Sequence, residues 1–180
     1  PICRHGLQKI NVNTHAMQAI DMKTMGNMEM KQSTGNNMSN IQYVYIDNSD
    51  LLWVGTTKSG AAYWGEDIYR FTSKTIGDIT AMVEDSAGHV VYGTSDSGIL
   101  GYEGPLASLS VTALARTSDG SLWVGSQNNG LTRIKDGVAT FYSTSSTDHR
   151  IENNHINAMC NDKNGILWIA TEGGLLNYNP

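Results

Sequence analysis

An all-β chain of four-stranded antiparallel blades, a β-propeller present as an incomplete fragment of about four to five blades, is predicted by three observations. The first is a repeat, with segments Ile41 to Trp64, Ile79 to Tyr102, Val111 to Ile134 and Ile156 to Tyr178 aligning position by position. Their equivalent small residues Gly55, Gly93, Gly125 and Ala170 lie 38, 32 and 45 positions apart, about the length of one propeller blade. The second is strand texture, an alternating run followed by a short apolar run in every copy. The third is glycine, 19 in 180 residues without a collagen period, which many tight turns between short strands explain.

Each copy reads as a series of strands. Strand A alternates, as in Ile79, Ala81, Val83 or Val111, Ala113, Ala115, which suits a strand with two unlike faces. Strand B is nearly all apolar and ends in Gly-Thr or Gly-Ser, as a strand packed between neighbouring sheets should. Between A and B, Asp85 and Asp162 can accept backbone N–H bonds while Gly88 and Gly165 take positive φ. Strand C opens at Gly60, Gly98, Gly130 or Gly174 and leads to a more polar strand D such as Tyr69 to Thr72 or Ala139 to Tyr142. The expected boundaries are a partial blade (strands C and D) with a Met-rich connection over 1–40, then blades over 41–78, 79–110, 111–155 and 156–180, the last without its final strand. Gly6 to Ile10 reads as strand C, so joining the two ends would supply strand C twice. Simple closure fails, and a fragment of a larger propeller is expected.

Composition narrows the function classes. Twelve Lys and Arg against seventeen Asp and Glu give a net charge of −5, without the basic excess that nucleic-acid binding uses. Apolar runs stop far short of the ~20 residues needed to span a bilayer. Cys3 and Cys160 are far apart, match no metal spacing and read as free thiols. A chain that starts at Pro1 reads as a processed product or a piece of something longer.

The pattern Ile-x5-Asp-x-x-Gly-x-Leu-Trp-Ile-Gly-Thr-x-x-Gly-Leu-x-x-Tyr resembles the two-component regulator propeller repeat. Ile156 to Tyr178 carries it with Ala170 in place of glycine, Ile41 to Trp64 and Val111 to Ile134 carry it nearly as well, and Ile79 to Tyr102 has Val91 where the tryptophan belongs. The resemblance implies a ligand-sensing or scaffold part of a periplasmic sensor region, anchored to the inner membrane through a parent chain that bears a histidine kinase. It further implies an oligosaccharide ligand, control of polysaccharide-utilisation genes, homodimerisation of the parent, contact with its remaining blades and domains, and no enzymatic activity in these residues.

Trp53, Trp123 and Trp168 share one position on strand B, and Trp64 takes the strand-C slot of Tyr102, Ile134 and Tyr178. A position dictated by the repeat reads as packing, with no sugar needed to explain it. The B–C tips are better candidates, because a meander brings them and the D–A links to one face. They present Lys58, Asp96, Gln127, Asn128, Asn129 and Glu172, and the long link 143–154 adds Asp148, His149 and Arg150. Hydroxyls, amides and carboxylates on loops of a rigid scaffold suit polyols, while polar hairpin tips are also what any propeller shows. Met22, Met25, Met28 and Met30, with His15, could hold Cu(I) through thioethers or simply fill an irregular blade. The second is the expectation, so no metal or cofactor is assigned. No nucleophile elbow, zinc-helix, phosphate-loop or calcium-loop motif is present, and no catalytic residue is assigned. A sialidase-like or lyase propeller and a purely structural protein-binding propeller stand as the alternatives.

Overall fold

The computed structural model describes residues 7–10, 13–14, 16–20, 41–57, 60–64, 69–72, 78–85, 87–102, 106 and 108–180. Strands β1 (Leu7–Ile10) and β2 (Met17–Ile20) form an antiparallel hairpin. The first blade holds β3 (Ile41–Ile46), β4 (Leu52–Thr56), β5 (Gly60–Trp64) and β6 (Tyr69–Thr72), paired in chain order. The second holds β7 (Ile79–Glu84), β8 (Val90–Thr94) and the short β9 (Ile99–Leu100). β10 (Val111–Arg116), β11 (Leu122–Ser126), β12 (Leu131–Lys135) and β13 (Val138–Tyr142) make the third, and β14 (Ile156–Asn161), β15 (Leu167–Thr171) and β16 (Gly174–Tyr178) the fourth. The repeated meander is the expected propeller architecture. Among the described residues the sheets of the second and fourth blades hold three strands each. Leu106, between Leu100 and Val111, is buried in the core.

The turns between first and second strands form as the sequence predicts. Asp85 Oδ1 accepts the N–H groups of Ala87 and His89 at 2.8 and 2.9 Å, and Asp162 Oδ1 those of Asn164 and Ile166 at 2.8 and 3.0 Å. Gly165 closes its turn at φ 83°, a conformation that favours glycine. The second oxygen of the same aspartate adds a contact with the strand-B tryptophan. Trp53 Nε1 donates to Asp47 Oδ2 at 2.7 Å and Trp168 Nε1 to Asp162 Oδ2 at 3.2 Å, so the turn acid also satisfies the indole.

Every first strand has a register shift after its first residue, between Ile41 and Tyr43, Ile79 and Ala81, Val111 and Ala113, and Ile156 and Ala158. This bulge re-aims the strand. In β7, β10 and β14 the first residue meets the preceding blade, and in β7 and β10 the third and fifth positions face the following one. A Cβ on Gly93 would lie 2.5 Å from Val111 Cγ1, and one on Gly125 2.6 Å from Ile156 Cγ2. The Gly-Thr and Gly-Ser ends of strand B therefore let the next blade approach. Three apolar clusters result, each shared by two adjacent blades: Tyr43, Tyr45 and Trp53 with Ile79 and Met82; Ala81, Val83 and Ile99 with Val111 and Leu114; Ala115, Trp123 and Leu131 with Ile156 and Ile169. The core lies between blades, as the radial repeat requires.

Candidate functional site

The arc of blades has two ends, one carrying the A–B turns and the other the B–C tips. The backbone N–H groups of Ser95, Gln127 and Glu172 donate to the carbonyls of Asp78, Ser110 and His155, the residues just before each first strand, at 3.1, 2.9 and 3.2 Å. Tips and D–A links thus share one end of each blade. A hydroxyl at the end of strand B shapes each tip: Thr94 Oγ1 accepts Ser97 N–H and donates to the Gly98 carbonyl, both at 2.9 Å, and Ser126 does the same for Asn129 and Gly130 at 3.0 and 2.9 Å.

Of the residues predicted for ligand binding, Lys58 lies outside the described residues. Asp96, Gln127, Asn128, Asn129, Asp148, His149, Arg150 and Glu172 are all exposed at this end. Asp96 accepts the Ser97 hydroxyl at 2.9 Å, Gln127 accepts that of Ser110 at 3.2 Å, and Glu172 lies 3.5 Å from His155 Nδ1. These partners lie in the residue's own tip or in the D–A link just before its blade's first strand. The 143–154 link is folded on itself: Thr144 N–H donates to Asn154 Oδ1 at 2.8 Å, Asn154 Nδ2 donates back to Thr144 Oγ1 at 3.1 Å, and buried Ile151 anchors it among Trp123 and Leu131. His149 lies with its ring centroid 4.9 Å from that of Tyr142. Met22 to Met30 and His15 fall outside the described residues, among which no group of three or more His, Cys, Asp or Glu could hold a metal.

A concave feature opens at the opposite, A–B turn end. A groove of about 470 Å³ runs along the inner strands and is lined by Tyr43, Tyr45, Asn48, Glu84, Arg116, Ser118, Cys160 and Asn161, with Met82, Leu114 and Met159 behind. Three of its polar members, Glu84, Arg116 and Asn161, hold one repeat position, the last residue of strand A, where the first blade has Ile46. All three reach back across a blade junction. Glu84 Oε2 accepts Asn48 N–H at 2.9 Å, Arg116 Nη1 donates to the Asp85 carbonyl at 2.8 Å, and Asn161 Nδ2 donates to the Arg116 carbonyl at 2.7 Å. Burial pushes the Tyr43 and Tyr45 phenols up. Motif reading missed this groove because its partners are 31 to 45 residues apart. The available signal was a repeat position whose chemistry changes in each blade, running Ile46, Glu84, Arg116 and Asn161.

The strongest electrostatic site lies elsewhere and is structural. In the third blade Thr117 stands where the other turns have aspartate, and Trp123 Nε1 donates to its hydroxyl at 3.2 Å. That hydroxyl donates to Asp119 Oδ1 at 2.6 Å, and Asp119 Oδ2 takes Arg133 Nη2 at 2.7 Å and Lys135 Nζ at 3.2 Å. Partial burial alone would raise the Asp119 carboxyl, but hydrogen bonds from Thr117, Ser121 and Arg133 overcome it and hold the group well below the usual carboxylate range. The Arg133 guanidinium lies 5.7 Å from the Trp123 ring and 5.3 Å from that of Tyr178 in the next blade, so this network ties the third blade to the fourth.

Residues 105–128 and 150–173 match the two-component regulator propeller family. In fold the chain is similar to the extracellular domain assigned to the hybrid two-component system BT3049 of B. thetaiotaomicron, with a TM-score of 0.70 at 16% identity over 96% of this chain and 23% of that one. It is similar also to PorZ, a surface component of the type-IX secretion system of Porphyromonas gingivalis, with TM-score 0.69, 17% identity, and 94% and 28% of the two chains covered. Virginiamycin B lyase from Staphylococcus aureus has TM-score 0.62 at 13% identity, covering 98% of this chain and 63% of the lyase. The chain thus spans about a quarter of the BT3049 domain and less than two thirds of the lyase. No curated protein matches the sequence.

Proposed function

We propose that these blades are part of the ligand-sensing region of a two-component signalling protein, outside the cytoplasmic membrane and anchored to it through the parent chain. The observation that carries this reading is the pair of two-component regulator propeller repeats, in phase with two further copies of the same pattern. The ligand is an oligosaccharide and the output is control of polysaccharide-utilisation genes. The exposed tip residues Asp96, Gln127, Asn128, Asn129, Asp148, His149, Arg150 and Glu172, together with Lys58, are a polar surface suited to polyols. The parent acts as a dimer, further blades continue the arc, and these residues turn over no substrate. Ligand binding favours one arrangement of the paired ectodomains, and a differential affinity of ~1.4 kcal/mol shifts that balance about tenfold.

A propeller lyase is the second reading, supported by the shared fold with virginiamycin B lyase. A thermal-shift screen of the intact protein against defined oligosaccharides, with each sugar then analysed by mass spectrometry, separates the two. A native-state ligand at a hundredfold excess over Kd stabilises by about 2.7 kcal/mol. Saturable stabilisation with the sugar recovered intact is expected. Cleaved products would establish an enzyme, and no shift with any sugar would move the weight to a protein-binding scaffold.

A further inference from the structure

In a repeat protein, positions fixed by packing recur from unit to unit, and positions free of packing are available to a ligand. The first residue of strand A is Ile41, Ile79, Val111 and Ile156, and the strand-B glycine recurs in three of four copies. The last residue of strand A behaves differently, running Ile46, Glu84, Arg116 and Asn161, and the last three of these line the same concavity. Each of the three uses one arm to bridge a junction. That leaves Glu84 Oε1, the remaining N–H groups of Arg116 and Asn161 Oδ1 as acceptor, donor and acceptor from three successive blades.

We propose that this turn-end groove is a ligand site, distinct from the B–C tips at the other end, and that it takes a short neutral oligosaccharide held by Glu84, Arg116 and Asn161. The inference rests on the sensor reading for the ligand's class and on the groove for its place. A volume of about 470 Å³ falls in the range of small-molecule pockets. One carboxylate and one guanidinium at equivalent positions offset each other, while Asn48, Ser118 and Asn161 add neutral hydrogen-bonding groups. The chain's net charge of −5 works against a polyanion. A sugar touching all three side chains touches three blade junctions at once, which gives binding a direct hold on blade spacing.

The experiment uses the intact protein with maltotriose, cellotriose, mannotriose and a uronate trisaccharide as probes, with affinity read by calorimetry. A neutral trisaccharide should bind. Asn161→Ala should weaken binding about fivefold to tenfold, the loss of one or two hydrogen bonds. Glu84→Gln, which keeps an acceptor for Asn48, should shift preference toward the uronate. Sugar binding that is unchanged in Asn161→Ala and is lost in Gln127→Ala/Asn128→Ala would overturn the groove while leaving the sensor reading standing. Binding of the uronate alone would overturn the neutral ligand. Failure of all four sugars to bind would overturn the proposal and its parent reading together.

Discussion

The third and fourth blades carry nearly the same sequence pattern and differ mainly in what packs against them. In the third, β10 is buried at its first, third, fourth and fifth positions; in the fourth, β14 is buried only at Ile156. Leu131 and Leu175 hold equivalent places opposite Gly125 and Ala170, yet Leu131 is 2% exposed and Leu175 63%. Trp123 is 1% exposed, whereas Trp168 is half-buried. Burial is thus a property of the junction and not of the blade, as expected where each unit contacts only its neighbours. The open face of the fourth blade, with Ala158, Cys160, Ala170 and Leu175, matches the faces that the first three blades bury against their followers.

The leucine pair gives the largest expected contrast. Leu131→Ala should cost about 2–5 kcal/mol by urea unfolding, and Leu175→Ala less than about 0.5 kcal/mol. Equal losses would break the comparison. Next come the small residues: Gly125→Ala forces a Cβ against Ile156 Cγ2 and should cost about 1–3 kcal/mol, while Ala170→Gly should lose no more than about 1 kcal/mol of strand stability.

The turn acids sharpen the comparison through pH. Asp119 and Asp162 are both held below their ordinary range, Asp119 by hydrogen bonds from Thr117, Ser121 and Arg133, Asp162 by the turn N–H groups and Trp168. A carboxyl whose folded pKa is depressed stabilises the fold fully above its unfolded pKa of 3.8, and that contribution is lost as pH falls through the folded value. Stability measured from pH 7 downward should therefore hold to about pH 5 and fall below pH 4. Asp119→Ala should remove about 1–3 kcal/mol at pH 7, because it leaves Arg133 without its carboxylate, and should flatten the acid limb. Asp162→Ala, in the open blade, should do less of both. At the groove end, Arg116→Ala removes one junction hydrogen bond and should cost about 1 kcal/mol.

What was legible in the sequence was local or periodic. Asp85 and Asp162 bond N–H groups two and four residues away, so the motif contained its own partners. Trp53 and Trp168 were readable as packing because the repeat fixed their place, though their bond to the turn oxygen six residues back was not foreseen. Asp119 was obscure, since Thr117 breaks the motif and Arg133 approaches it from another strand. The groove was invisible because Glu84, Arg116 and Asn161 acquire meaning only beside a neighbouring blade, a relation that side-by-side copies of one repeat do not contain. The tip residues were placed at the predicted end, but no packing contact distinguishes a binding tip from an ordinary one.

The central claim, that the fourth blade ends in an unfilled junction, is tested most directly by amide hydrogen exchange. The comparison is between this 180-residue chain and the same residues within the intact protein. The account predicts that β14, β15 and β16 gain protection in the intact protein while β10, β11 and β12 stay as they are. Unchanged exchange in β14 to β16 would contradict it, and would mean that the face bearing Leu175 stays open to solvent.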